Sequence, residues 1–228
     1  MNTEKTQVSK EWVNLSQDIF TGMPHARAHG DINITSKTKD ISDGFVLRTT
    51  HLDMPAHGGT HIDAANHFFP GAKSIDQYPP NHFIGPGVVL DLRREGAVPI
   101  TVEDLNRSLN LVKEGDIALL CFGYGRRFTD DIYHEHPYLS VEAAEWLVAK
   151  GVRIVGVDVT TPDLPGTHRP EGFGFPVHRA LLGNGVLIIE NLGAKLELFA
   201  GRRVEVIAMP LPIKDSDASP ISVLVKDI

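Results

Sequence analysis

The sequence of 228 residues has one cysteine, two tryptophans and no excess of positive charge. A single cysteine excludes an internal disulfide framework and leaves no set of thiolates to hold a metal. Any metal must then be held by histidine and carboxylate. Cys121 itself lies in the apolar run Ile-Ala-Leu-Leu-Cys-Phe at 117–122, the setting of a buried strand cysteine rather than a reactive thiolate. Against 22 Lys and Arg stand 29 Asp and Glu, a formal net charge of -7. Nucleic acid and anionic membrane surfaces reward clustered Lys and Arg, so neither is an expected partner and small molecules are. No stretch approaches the ~20 apolar residues of a membrane span. Residues 1–11 carry Lys and Glu without the apolar core of a signal peptide, so the expectation is a soluble, cytoplasmic protein. Also missing are the G-x-S-x-G elbow, the P-loop and the G-x-G-x-x-G dinucleotide turn; the Gly-Tyr-Gly at 123–125 lacks the third glycine.

What is present begins with a hydrophobic content of 42%, enough for one sizeable core over residues 1–228. Strands are expected at 12–16, 45–50, 87–92, 116–122, 152–158, 186–192, 203–212 and 219–225, with an amphipathic helix opening at Thr101. A second helix runs over 141–150 behind the cap Ser140 and stops at Gly151, and a short third covers 176–182. Composition and pattern alone give α/β or α+β. Asp158, at the end of one strand, reads either as support for a site or as a structural cap, and Trp146 reads as core.

One stretch gathers more chemistry than any other. His57-Gly58-Gly59-Thr60-His61-Ile62-Asp63 is followed by His67, three imidazoles and a carboxylate in one short segment. Two glycines disfavour a helix there, by roughly 1 kcal/mol each relative to alanine, so a tight turn is expected. Beyond it, His61 and Asp63 are two apart and share a face in an extended chain, which His57 can fold back to join. Imidazole and carboxylate suit Zn, Mn, Fe or Co better than Ca or Mg. His67 is placed to be a further ligand or, with its near-neutral intrinsic pKa, a proton carrier. Far along the chain, Glu190 follows four apolar residues in an expected buried strand, and a buried carboxylate requires a partner, a cation or an arginine.

The stretch resembles the HxGTHxDxPxH signature of the cyclase-like metal-dependent hydrolases, the family that includes bacterial kynurenine formamidase and isatin hydrolase. It matches at His57, Gly59, Thr60, His61, Asp63 and His67, and the family's proline falls at Ala65. A later His in a short helix and a Glu in an I-x-E-N-L strand are matched by His178 and Glu190. The resemblance implies a swivelling β/α/β fold in a strand-rich single domain, usually a homo-oligomer, here a dimer or tetramer. It also implies that His57, His61 and Asp63 hold one divalent metal, Zn or Mn, that Asp63 bridges, and that His178 and Glu190 complete a second site. Activity is then hydrolysis of an amide, formamide or cyclic imide C–N bond, with metal-activated water as nucleophile and His67 as proton shuttle. A lactone hydrolase or cyclase using the same site on a C–O bond and a non-catalytic metal-binding protein are the alternatives.

The loop at 20–30 contributes to the substrate pocket in this family, and its tryptophan packs on the substrate of kynurenine formamidases. Here residues 23–29 carry His25, Arg27 and His29 and no tryptophan, which favours isatin-like or cyclic imide rings over N-formylkynurenine. The aromatics of 68–79 are expected to wall the pocket, the loops at 123–127 and 172–175 to lie close to it, and His51 to be structural or to support the site.

Overall fold

A computed structural model describes residues 11–25 and 30–228. Its strands, in chain order, are β1 (Val13–Asn14), β2 (Asn33–Asp40), β3 (Val46–Asp53), β4 (His61–Asp63), β5 (Ile84–Asp91), β6 (Pro99–Ile100), β7 (Ile117–Cys121), β8 (Tyr138–Leu139), β9 (Ile154–Val157), β10 (Leu187–Glu190), β11 (Arg202–Pro210) and β12 (Ala218–Asp227). Three α-helices, α1 (Val102–Asn106), α2 (Val141–Ala149) and α3 (Pro176–Leu182), are joined to them by loops and short 3-10 turns. This is the strand-rich α/β architecture expected.

The strands β12, β11, β5, β7, β9, β10 and β4 lie side by side in that order, and β4 pairs in turn with β12. The sheet therefore closes on itself. Within it β5, β7, β9 and β10 are parallel, while β4, β11 and β12 run antiparallel to their neighbours.

Parallel strands buried on both faces must be apolar at consecutive positions. Val88, Leu90, Leu120, Val155, Val157 and Ile188 pack beneath the three helices with Leu105, Leu147 and Leu181. The alternate residues, Val89, Leu119, Cys121, Ile154, Leu187 and Ile189, form a second cluster inside the closed sheet with Phe199, Val206 and Val223. Each such side chain, fully buried, contributes about 1.5–3 kcal/mol. Cys121 is thus core, as expected, and burial pushes its thiol pKa up, away from thiolate chemistry.

The helices start where the sequence supplies acceptors. Ser140 Oγ accepts from Ala143 N at 3.1 Å, and Asp104 Oδ2 closes a box on Thr101 N at 2.9 Å ahead of α1. Trp146 is half-buried against the helix-side core.

Asp158 is a structural cap. Its carboxylate accepts from the backbone N–H groups of Phe122, Gly123, Tyr124 and Gly125 at 2.8–3.3 Å. Complete burial outweighs those bonds and pushes its pKa up to about 6. The loop at 123–127 packs against the segment just after Glu190, with Gly125 against the backbone of Leu192 and Gly193 and its carbonyl accepting from Gln17 Nε2 at 2.8 Å. It lines no part of the cleft described below.

β2 and β3 form a separate two-stranded hairpin, exposed along almost its whole length. The sequence showed only its second strand, because β2 is polar on both faces and has no apolar alternation. His51 lies on this hairpin, exposed and paired in register with Thr35, so it gives the histidine cluster no support. Among the described residues no helix is long and apolar enough to cross a membrane.

Candidate metal centre and cleft

The site is built outward from β4. The tight turn expected before it is there: Gly59 has φ +64, and a Cβ on Gly58 would stand 2.7 Å from Met54 Cε. Strand alternation then sends Ile62 into the closed sheet and turns His61 and Asp63 to the helix side. Antiparallel register sets Glu190 of β10 opposite His61, on the same face. His178, in the first turn of α3, covers that face, and His57 reaches it from the turn.

The distances sort the donors into two groups. Asp63 Oδ1 is 2.8 Å from His57 Nδ1 and 3.4 Å from His61 Nε2, while its Oδ2 is 3.7 Å from His178 Nε2. Glu190 does the same, with Oε2 3.4 Å from His61 Nε2 and Oε1 3.3 Å from His178 Nε2. Each carboxylate thus presents one oxygen to His61 and the other to His178, and the donor atoms that lie within 4.8 Å of one another form two groups, His57, Asp63 and His67, and His61, Asp63 and Glu190. Donors at about 2.0–2.2 Å from a shared tetrahedral ion stand roughly 3.3–3.6 Å apart. His61 Nε2 is buried with no hydrogen-bond partner, a costly arrangement that a cation between it and the facing carboxylates relieves. The donor set fits a divalent metal.

Two of the imidazoles are oriented through their second ring nitrogen. His61 Nδ1 donates to Gly59 O at 2.8 Å, which turns Nε2 towards the carboxylates. His178 Nδ1 donates to Asp163 Oδ2 at 2.6 Å, and Asp163 also accepts from the backbone N–H groups of Val177 and His178. Asn191 has φ +60 at the end of β10 and ties it to the turn, donating from Nδ2 to Gly59 O at 3.0 Å and accepting from Tyr133 at 2.8 Å.

Asp217, just before β12, holds the remaining pair. Its Oδ2 is 3.0 Å from both His57 Nε2 and His67 Nδ1, and the two rings lie 4.2 Å apart. Burial disfavours a charged His57, yet Asp63 and Asp217 outweigh it and push its pKa up to about 9. Burial likewise opposes charge on His61 and His178, and the facing carboxylates raise both pKa values above the ordinary range. Asp63 and Glu190 are held below theirs, the imidazoles overcoming desolvation.

All six residues singled out in the sequence, His57, His61, Asp63, His67, His178 and Glu190, therefore line one cleft of about 620 Å³. Pro24, His25, Phe68, His134, Arg169 and Phe175 extend its wall. His25 joins the cleft as the family loop suggests, while Arg27 and His29 lie outside the described residues. Of the aromatics at 68–79, Phe68 faces the cleft, but Phe69 and Tyr78 line a separate groove beyond Ala65. Asp163, Asp217, Asn191 and Tyr133 were not identified from sequence. A carboxylate 15 residues before His178 was the only local hint for Asp163, and nothing near the histidine stretch points to Asp217.

Comparison with known proteins places this geometry in a family. Residues 13–164 match the Cyclase family model, described as Putative cyclase. The kynurenine formamidase of Bacillus cytotoxicus is 28% identical over 224 residues, covering 96% of this chain and 99% of the relative. A solved structure described as a predicted metal-dependent hydrolase from Bacillus stearothermophilus is 29% identical with a TM-score of 0.75, covering 96% of this chain and 98% of that one. Isatin hydrolase A from Labrenzia aggregata shares the fold with a TM-score of 0.80 at 23% identity, covering 94% and 93%. Matched by the family model over more than half its length, the chain belongs to the cyclase family.

Proposed function

We propose that the chain is a metal-dependent amidohydrolase that cleaves a C–N bond of a small amide, formamide or cyclic imide. The observation that carries this reading is the splitting of Asp63 and Glu190 between two imidazole groups, with His67 at the edge of the same cleft. Its kinship with kynurenine formamidases along 96% of the chain supports the bond type.

His57, His61 and Asp63 would hold one divalent ion, Zn or Mn, and His178 with Glu190 would complete a second site. A divalent ion held there would lower the pKa of water towards about 7 and polarise a carbonyl oxygen. His67 takes the proton of the attacking water and returns it to the leaving nitrogen. Asp217 keeps His67 oriented for that transfer through the 3.0 Å contact to Nδ1. Phe68 and Phe175, with rings 5.5 Å apart, offer an aromatic wall where the N-terminal loop supplies no tryptophan.

The same reading covers residues 1–228 as one domain, places the enzyme in the cytoplasm and has it assemble with copies of itself. A two-stranded hairpin is marginal alone in water, and β2–β3 exposes Phe45, Val46, Leu47 and Leu52, which a second subunit would cover.

Elemental analysis of the purified protein, with assays of N-formylkynurenine, isatin and a simple cyclic imide in added Mn or Zn, tests the proposal. Metal-dependent turnover of one of them is expected. A protein that binds no divalent ion would sink it.

A further inference from the structure

Arg169 is a positive side chain in the cleft that neither the ligand set nor the proton path uses. It is held on every side. Its backbone is extended, at φ -73 and ψ 129, as the following Pro170 demands. Its Nε donates to the carbonyl of Leu164 at 2.7 Å. The guanidinium lies over the rings of Phe175 at 4.5 Å and Phe173 at 5.2 Å.

Phe175 is itself constrained. At φ 48 and ψ 59 it occupies the left-handed region immediately before Pro176, a conformation that costs of order 1–3 kcal/mol and persists only where its surroundings impose it. The result is a ring fixed between Arg169 and the centre, 6.0 Å from the His178 imidazole. Phe68 stands beside it, 5.1 Å from His178.

Among the described residues, the terminal amino groups of Arg169 meet no hydrogen-bond acceptor. The carboxylates that act on it through space, Asp163 and Glu190, are engaged by His178, Val177 and His61. A rigid, half-buried guanidinium fork with both amino groups unmatched is suited to bidentate binding of a carboxylate.

We propose that Arg169 is a specificity residue that receives a carboxylate of the substrate, so that the preferred class is an aryl amide or formamide bearing that carboxylate on the side of its ring away from the scissile bond. The ring lies along Phe68 and Phe175. The scissile bond rests on the hydrolase reading above; the anion site does not.

The test uses probes that differ only in charge, 4-formamidobenzoate and 4-formamidobenzamide, on the metal-loaded protein. The wild type is expected to prefer the benzoate in kcat/KM. The preference should fall roughly 10- to 100-fold in Arg169→Ala, mainly through KM, and recover in part in Arg169→Lys. Calorimetric binding of 4-acetylbenzoate and 4-acetylbenzamide, ketones that cannot be hydrolysed, reads the same preference without turnover. Arg169-dependent binding of the benzoate with neither formamide hydrolysed would uphold the anion site and overturn the formamide branch of the hydrolase reading. Hydrolysis of both probes at equal efficiency, with no binding preference for the benzoate, would overturn the anion site and leave the hydrolase reading standing. Inhibition by added formate that is lost in Arg169→Ala, without preference between the probes, would assign the guanidinium to the departing acid and also overturn the proposal.

Discussion

His61 and Glu190 face each other across the antiparallel β4–β10 pair, Nε2 and Oε2 3.4 Å apart, although 128 positions separate them in a sequence where each ends or begins a short strand. The register of one strand pair thus fixes three of the five donor residues, His61, Asp63 and Glu190. A slip by one residue would turn His61 and Asp63 into the closed sheet and Ile62 out of it.

Asp163 should matter to the metal centre without touching an ion. It fixes the His178 tautomer through the 2.6 Å contact to Nδ1 and satisfies two N–H groups at the start of α3. Removing such a partner of a ligating imidazole typically costs 10- to 100-fold in metal affinity. Asp163→Ala should therefore lower metal occupancy by about that factor in equilibrium dialysis. Wild-type affinity in a folded Asp163→Ala protein would contradict the arrangement.

His67 and His57 share Asp217, yet the proposed roles of the two differ. His67→Ala should keep the metal and lose roughly 10²- to 10⁴-fold in kcat, the usual contribution of a positioned acid–base group. Asp217→Ala should lower kcat and metal occupancy together, because its Oδ2 is 3.0 Å from both rings. Full turnover in His67→Ala would remove the proton shuttle.

The histidine stretch was readable because its chemistry is contiguous and its geometry local: two glycines, a turn, then alternation. Buried strands such as β7 and β9 were readable because both faces are apolar. Asp217 and Asp163 were not, since each reaches its histidine only after the sheet has closed or α3 has docked. β2 escaped because an exposed strand carries no hydrophobic period. Glu190 lay between: the apolar run predicted a burial that needs a partner, and only the fold supplied His61 and His178.

Gly125 tests the support behind β10. A Cβ there would lie 2.6 Å from Gly193 C, 2.7 Å from Leu192 O and 2.8 Å from Ala194 N, all backbone atoms that cannot swing aside. Gly125→Ala should cost about 1–3 kcal/mol, read by urea denaturation, as overpacking does elsewhere. A variant as stable as the wild type would show that the segment after Asn191 has room to move.

His136 should give the fold an acid-sensitive component. Burial pushes its pKa down to about 4, and its neutral ring donates from Nδ1 to Pro137 O and pairs through Nε2 with Thr160 at 2.9 Å. The unfolded chain takes up a proton near 6.5 that the folded chain refuses until about 4. Stability tied to His136 is then complete above 6.5 and is lost as pH falls towards 4, by about 3 kcal/mol in all. The stability advantage of wild type over His136→Asn should shrink from pH 7 to pH 4.5. An advantage that grows on acidification would show that the ring is not held neutral.

His57 links the same reasoning to the metal. In the metal-free protein its pKa stands at about 9, raised above 6.5 by Asp63 and Asp217 against the pull of burial. At pH 7 the imidazole is therefore protonated, and ligation through the Nδ1 that faces Asp63 must expel that proton. Metal binding at pH 7 should release at least one proton, seen as an enthalpy that depends on the ionisation heat of the buffer. The share from His57 should vanish as pH passes 9, and affinity should rise with pH up to that point. Because the folded pKa is raised, the stability that protonated His57 gives the metal-free protein is complete below 6.5 and is lost as pH rises through 9. Metal-free protein should thus lose stability over the pH range in which it gains affinity for the ion. Binding at pH 7 with no proton released would mean that Asp63 and Asp217 do not hold His57 charged.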